Sequence, residues 1–353
     1  MGRFLVTGGA GFIGSHLTDQ LRASGHDVVV LDSLDPAAHG HAPSYLRDDV
    51  RYVHGDVGDP EVWDAQLLDG LDGVSHQAAK VGLGLDFDDV RAYVEANDVG
   101  TATMLRALHR RRFAGRLVLA SSMVVYGEGR YRCDEHGDVR PAPRDRYDLE
   151  AGRFEPTCPR CASPLTPDAI DEDAPMDPRN VYAATKLHQE HLCTAYGRES
   201  GVPVTALRYH NVYGPRLPRD TPYAGVASIF RTHIAAGRAP QVFEDGRQLR
   251  DFVHVHDVAR ANVLALTRPE PAPGAFNVAS GTPRSIGEMA AALAAAADGG
   301  LTPEVTGGFR LGDVRHVFAS PQRASEQLGF DAEVDFDAGM RGFATAELRE
   351  PPR

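Results

Sequence analysis

Tyr182 and Lys186 stand four apart in the segment Asn180-Val181-Tyr182-Ala183-Ala184-Thr185-Lys186. On a helix that spacing puts both side chains on one face. An ammonium group one turn from a phenol stabilises the phenolate. A phenol that titrates at about 10 in isolation then works as a base near neutral pH. Ser121-Ser122 closes the apolar run Arg116-Leu117-Val118-Leu119-Ala120, and the Ser122 hydroxyl is placed to hydrogen-bond the same substrate oxygen. A tyrosine–lysine pair at this spacing also arises on solvated helices, so the pair gains its weight from what surrounds it.

The start of the chain supplies that context. Arg3-Phe4-Leu5-Val6-Thr7 runs into Gly8-Gly9-Ala10-Gly11-Phe12-Ile13-Gly14, a strand, a glycine turn and a helix start. Gly8, Gly11 and Gly14 let the backbone turn tightly and approach a pyrophosphate with no Cβ in the way. The N–H groups around Phe12 and Ile13 then face the anion at the helix N-terminus. Asp32 follows the next apolar run, Asp27 to Leu31, where an acid holds the adenosine ribose hydroxyls and repels a 2′-phosphate. A dinucleotide site that favours NAD over NADP is expected. Asp56-Val57 follows the third strand, where it either contacts the adenine or forms an ordinary strand-end turn.

Cysteine usage points to a second chemistry. Cys133-Asp134-Glu135-His136 and Cys158-Pro159-Arg160-Cys161 form C-x-x-H and C-x-x-C knuckles, which can close a tetrahedral zinc site from two sides. Such a site would staple a stretch with little apolar content of its own. The alternative is that the thiols are incidental to a polar loop. With four ligands occupied the metal would be structural, not catalytic. Cys193, on the apolar face of the helix carrying Tyr182, is expected to be a packed core residue.

The elements that must position these residues follow from the hydrophobic pattern. Continuous Val/Leu-rich runs at 3–7, 27–31, 51–54, 73–77, 116–121 and 203–208 read as buried parallel strands. Helices are expected at 12–24, 60–69, 86–112 and 180–200, which gives an α/β, Rossmann-like doubly wound sheet. Residues 127–178, rich in Arg, Asp and Pro, break the pattern and read as a cysteine-bearing surface insertion. The division expected is 1–209 for nucleotide binding and 210–353 for a smaller α+β substrate lobe, partly interleaved with the first. The tract 288–297, nearly all alanine, reads as a helix of good helix formers. A chain of 353 residues accommodates both cores. A net charge of −12 argues against general nucleic-acid binding. No apolar run reaches the roughly 18 residues of a membrane span, and the chain enters its first strand without a signal peptide, so a cytoplasmic enzyme is expected.

Taken together, the glycine turn, Ser122 and Tyr182-x-x-x-Lys186 resemble the extended short-chain dehydrogenase/reductase family, specifically its nucleotide-sugar epimerases and dehydratases. Further matching pieces are His76-Gln77-Ala78-Ala79, Asn97, Val125-Tyr126-Gly127, Arg208 to Pro215, Arg250 to Val255, and Arg310-Leu311-Gly312-Asp313. The resemblance covers nearly the whole chain apart from the insertion. It implies that Ala78, Asn97, Tyr182 and Lys186 contact NAD. It further implies that Asn211, Arg250 and Arg310 bind the diphosphate of a dTDP- or UDP-sugar, with Asp313 on its ribose or deoxyribose hydroxyl. Guanidinium forks suit phosphate oxygens. The family's dehydratases carry an Asp-Glu pair directly after the serine; here Met123 and Val124 stand there and neither can transfer a proton. A 4-epimerase is therefore the leading expectation. A 4-ketoreductase using NADH or NADPH, an oxidative decarboxylase of a uronic acid and a non-catalytic nucleotide-binding scaffold are the alternatives. A similar cysteine-bearing insertion occurs in a bacterial subgroup of the 4-epimerases, and its place implies the rim of the substrate pocket. The family also implies a homodimer built on the helices at 86–112 and 180–200.

Overall fold

The computed structural model describes residues 1–82, 87–219, 225–297 and 300–350. The first half alternates strand and helix: β1 (Arg3–Thr7), α1 (Phe12–Ala23), β2 (Asp27–Asp32), β3 (Arg51–His54), β4 (Gly73–His76), α2 (90–110) and β5 (Arg116–Ser122). The expected helix at 60–69 is two short turns, Pro60–Val62 and Ala65–Leu68. The side chains of Asp59 and Asp64 each cap a fresh start there and break the run. Residue 86, the first of the helix expected at 86–112, lies outside the described residues.

The insertion has architecture that its composition does not announce. β6 (Arg130–Cys133) pairs antiparallel with β7 (Gly137–Val139) and with β8 (Thr166–Asp168). Its own apolar core is small: Tyr131, Cys133, Cys158 and Leu165, with Val139 and Cys161 against them.

After the insertion come α3 (Val181–Ser200), β9 (Val204–Tyr209), β10 (Asn211–Tyr213), α4 (Val226–Ala235), β11 (Gln241–Val242), β12 (Leu249–His254), α5 (Val255–Thr267), β13 (Gly274–Val278), β14 (Pro283–Ser285), α6 (Ile286–Ala296), β15 (Glu304–Val305) and α7 (Phe336–Thr345). The main sheet has seven strands in the order β13-β9-β5-β4-β1-β2-β3, every neighbouring pair parallel. Its outermost strand β13, and α5 packed on α1, come from beyond residue 210. A contiguous division at that point therefore cuts the sheet.

Alternation along the strands sends side chains to two faces. Phe4, Val6, Val28, Val30, Val118, Leu207 and Phe276 face one side with Leu17, Leu21, Val258 and Ala261 of α1 and α5. Leu5, Val29, Leu31, Val74, Leu117 and Leu119 face the other with Met104, Leu108, Cys193 and Tyr196 of α2 and α3. Each fully buried leucine of these faces is worth about 2–5 kcal/mol against alanine. A third core, including Phe230, Phe252, Met289, Leu293, Met340 and Phe343, holds the smaller lobe. There α6 occupies the alanine-rich tract behind a Ser285–Glu288 capping box. Among the described residues no helix is long and apolar enough to cross a membrane.

Candidate active site

The site lies at the carboxyl ends of the parallel strands, where the sheet order reverses between β1 and β4. Gly8 follows β1 with φ +67°, and a Cβ there would fall 2.7 Å from the Ala78 nitrogen. A Cβ on Gly14 would fall 2.2 Å from the Gly8 carbonyl oxygen. Glycine is required at both positions. Gly11 caps α1 with no side chain and no acid occupies the first turn, so the N–H groups of Phe12, Ile13 and Gly14 are left for an anion. Asp32 is fixed at the end of β2 by the N–H of Ala10 at 2.9 Å and of Leu34 at 2.8 Å. Tyr45 donates to the Ala10 carbonyl at 2.8 Å and walls the same turn. Asp56 accepts the Gly58 N–H at 2.6 Å, and Val57 is buried with its carbonyl on the Trp63 indole at 2.9 Å. Ala78 packs against Gly8 and donates its N–H to Thr7 Oγ1 at 3.3 Å.

Asn97 occupies a widened π-helical turn, Val94–Val99, within α2. Its amide donates to the Lys80 carbonyl at 3.0 Å and to Thr185 Oγ1 at 2.9 Å, and accepts the Lys80 N–H at 2.8 Å. It ties the exit of β4, α2 and α3 together. His76 reinforces this junction, 2.8 Å from Thr7 Oγ1 and 3.0 Å from Thr101 Oγ1. Burial and the nearby Lys186 charge lower its pKa to about 3, so it is neutral.

Asn180 starts α3 by accepting the Ala183 N–H at 2.8 Å, which orients the first turn and Tyr182 with it. Lys186 is buried and donates Nζ to the Ala120 carbonyl at 2.8 Å. Its Nζ lies 6.0 Å from the centre of the Tyr182 ring. Burial pushes the Tyr182 phenol up to about 12, against a hydrogen bond with Ser122 that lowers it. Burial also lowers Lys186 to about 8, with Cys193, Glu190 and Asp98 opposing. Ser122 ends β5 beside Tyr182, and Met123 and Val124 follow in a single turn, Met123–Tyr126.

The residues expected on the diphosphate and ribose of the substrate come from the smaller lobe. Asn211 opens β10, and its Oδ1 is buried without a hydrogen-bond partner. Arg250, on β12, donates its terminal nitrogens to the carbonyls of Leu249, Arg315 and Val314 at 2.8, 2.9 and 2.7 Å. Arg310 stacks over Phe243 at 5.6 Å. The Asp313 N–H donates to the Arg310 carbonyl at 3.3 Å. Burial raises the Asp313 carboxyl, while Arg250, Arg310 and Arg144 oppose the shift. Arg250, Arg310, Arg144 and Asp313 therefore share one neighbourhood.

Cys133, His136, Cys158 and Cys161 converge, with their ligand atoms all within 4.8 Å of one another. Cys133 Sγ lies 3.6 Å from both His136 Nδ1 and Cys161 Sγ, and Cys158 Sγ lies 3.6 Å from the same imidazole nitrogen. Zinc–sulfur bonds of about 2.3 Å and a zinc–nitrogen bond of about 2.0 Å give tetrahedron edges near 3.5–3.8 Å. The donor set and its spacing fit zinc.

Sequence reasoning missed a buried ionic cluster between the insertion and the smaller lobe. Arg315 has no exposed side-chain surface and pairs with the buried Glu244 and with Glu155 and Asp245, which are partly open to solvent. Arg144, 6% exposed, pairs with Glu244 at 2.9 Å, and Glu128 accepts the Arg315 N–H at 2.7 Å. The insertion is thus not simply a surface excursion. Isolated charges in an irregular stretch carry no local sign of burial, because their partners lie far away in the chain.

The model of the NAD dependent epimerase/dehydratase family matches residues 4–151 and 157–279. The chain belongs to that family. It is 35% identical to the dTDP-L-rhamnose 4-epimerase of Burkholderia thailandensis over 99% of this chain and 96% of the relative. It is 32% identical to a UDP-glucose 4-epimerase of Mycolicibacterium smegmatis over 96% of each. The crystal structure of the Thermus thermophilus UDP-glucose 4-epimerase in complex with NAD superposes with a TM-score of 0.76 at 30% identity, covering 97% of both chains.

Proposed function

We propose that this protein inverts C4 of a nucleotide-diphosphate sugar through a transient 4-keto sugar, with resident NAD. The observation that carries the reading is the assembly of Tyr182, Lys186 and Ser122 beside a glycine cradle, with Met123 and Val124 where a dehydratase would need acid and base. NAD, when bound, supplies the acceptor for the C4 hydride and returns it.

Tyr182 takes the proton of the sugar 4-hydroxyl and gives it back after the keto sugar has turned its other face. Lys186 holds the phenolate by its charge, and Ser122 orients the same oxygen. The first-turn N–H groups of α1 receive the dinucleotide pyrophosphate, and Asp32 its ribose hydroxyls. Asp56, Val57, Ala78 and Asn97 shape the rest of that groove. Asn211, Arg250 and Arg310 are assigned to the sugar-nucleotide diphosphate, and Asp313 to its ribose or deoxyribose. The relatives' names support a dTDP- or UDP-sugar. Zinc on Cys133, His136, Cys158 and Cys161 is assigned a structural part, since all four ligand positions are protein.

Assembly belongs to the same reading. Val94 and Val99 on α2 are 38% and 49% exposed, and Ala184 and Ala195 on α3 are also exposed. These faces support a homodimer through a four-helix bundle, and a cytoplasmic location is the corresponding assignment. Sedimentation giving only monomer at micromolar concentration contradicts the dimer.

The test is incubation of purified protein, without added cofactor, with dTDP-L-rhamnose, dTDP-glucose, UDP-glucose and UDP-glucuronate in turn, followed by NMR of the ring protons. The expected result is a C4-inverted product from one of them. Conversion only of a 4-keto sugar with added NADH replaces the epimerase with a ketoreductase.

A further inference from the structure

We propose that Arg144 and Glu155 are positioning residues for the sugar nucleotide, and that the Cys/His knuckle couples metal binding to nucleotide affinity through them. This inference rests on the nucleotide-sugar reading above. The segment carrying Arg310 and Asp313 has no regular secondary structure over 306–316, so side chains must fix it.

The insertion supplies those side chains. Arg144 donates to the Asp313 carbonyl at 2.6 Å and to Glu244 Oε1 at 2.9 Å. Glu155 accepts from Arg315 Nε at 2.9 Å and lies 2.9 Å from His316 Nε2. The His316 N–H donates to the Tyr131 hydroxyl at 3.1 Å. Arg250 holds the Val314 and Arg315 carbonyls. The 313–315 backbone is thereby held by one arginine of the insertion and one of the lobe.

Tyr131 and Glu155 are tied to the knuckle, and Arg144 is linked to Glu155 through Glu244 and Arg315. Tyr131 precedes Cys133 by two residues and Glu155 precedes Cys158 by three. Tyr131, Cys133 and Cys158 share the insertion's small core. With so few apolar contacts in the insertion's own core, a bound metal would fix the knuckle backbone and with it Tyr131 and Glu155. Glu155 is itself half-exposed, but the Arg315 guanidinium it holds is fully buried, and a buried charge short of a partner is costly, so loosening the knuckle releases residues 310–316. Coupling of this kind is reciprocal. Metal tightens the nucleotide, and nucleotide retains the metal.

The holoenzyme tests this with UDP and dTDP as calorimetric probes, and with zinc transfer to a chromogenic chelator. Arg144→Ala and Glu155→Gln are expected to weaken the bound probe, and raise KM for the sugar nucleotide, by roughly tenfold, a common size for site–site coupling. Their kcat should stay within about twofold, since no transition-state contact is lost, and their NAD content should be unchanged. Arg144→Lys keeps the charge without the fork and should recover part of the affinity. Saturating nucleotide should slow zinc transfer from the wild type and not from Arg144→Ala. Unchanged affinity with a lower melting temperature, or zinc release indifferent to nucleotide, overturns the coupling; so does purified protein without zinc. A wild type that binds neither UDP nor dTDP overturns the nucleotide-sugar reading, and this inference with it.

Discussion

Lys186 Nζ stands 6.0 Å from the centre of the Tyr182 ring, and burial pushes the phenol up to about 12 while pulling the ammonium down to about 8. Both groups are driven toward their neutral forms, and in the proposed mechanism a protonated Lys186 works against that preference for Tyr182. The sign follows directly. A protonated Lys186 lowers the Tyr182 pKa, and the base must be deprotonated to act. Lys186→Met should therefore move the acidic limb of kcat/KM upward by about one pH unit or more. An unmoved limb removes Lys186 from that role. The pair was legible in the sequence because four-residue spacing is local information, and so was the glycine turn. Arg144 and Arg315 were not: their partners Asp313 and Glu155 lie 169 and 160 residues away. Nothing in Pro143-Arg144-Asp145 distinguishes a buried guanidinium from a solvated one.

Elements with a continuous pattern were read correctly, while the breaks and turns imposed by side-chain ties within them were not. The six strands stand where their Val/Leu runs put them, and α3 starts at its Asn180 cap. The stretch at 60–69 breaks because Asp59 and Asp64 each offer a carboxylate to the backbone. The π-helical turn around Asn97 depends on bonds to Lys80 and Thr185, which no periodicity encodes. The insertion hid its strands because they are three or four residues long. Its knuckles were visible only through cysteine spacing. Replacing Cys158 and Cys161 together by serine should release the metal and lower the melting midpoint by several degrees, as removal of a structural zinc does. Metal content by elemental analysis and a thermal melt check this; no change in either leaves the thiols without a structural part.

At the scale of the whole molecule, seven parallel strands build one platform and bring the ends of β1, β2, β4 and β5 to the same edge. β13 completes that sheet from residues 274–278, so the smaller lobe is stitched into the larger one through α5 and β13. The chain's linear order conceals this, since a short run such as Gly-Ala-Phe-Asn-Val carries little strand signal of its own. The stitching gives the two halves of the proposed site a common frame. Tyr182 reaches it from the nucleotide-binding side and Asn211, Arg250 and Asp313 from the lobe. A redox-neutral inversion in such a frame never lets the C4 hydrogen escape. The most direct measurement follows a sugar nucleotide deuterated at C4, converted in ordinary water by purified protein without added cofactor. The account predicts an inverted product that retains deuterium at C4. Replacement of that deuterium by solvent hydrogen, or conversion only with stoichiometric reduced cofactor, would contradict it.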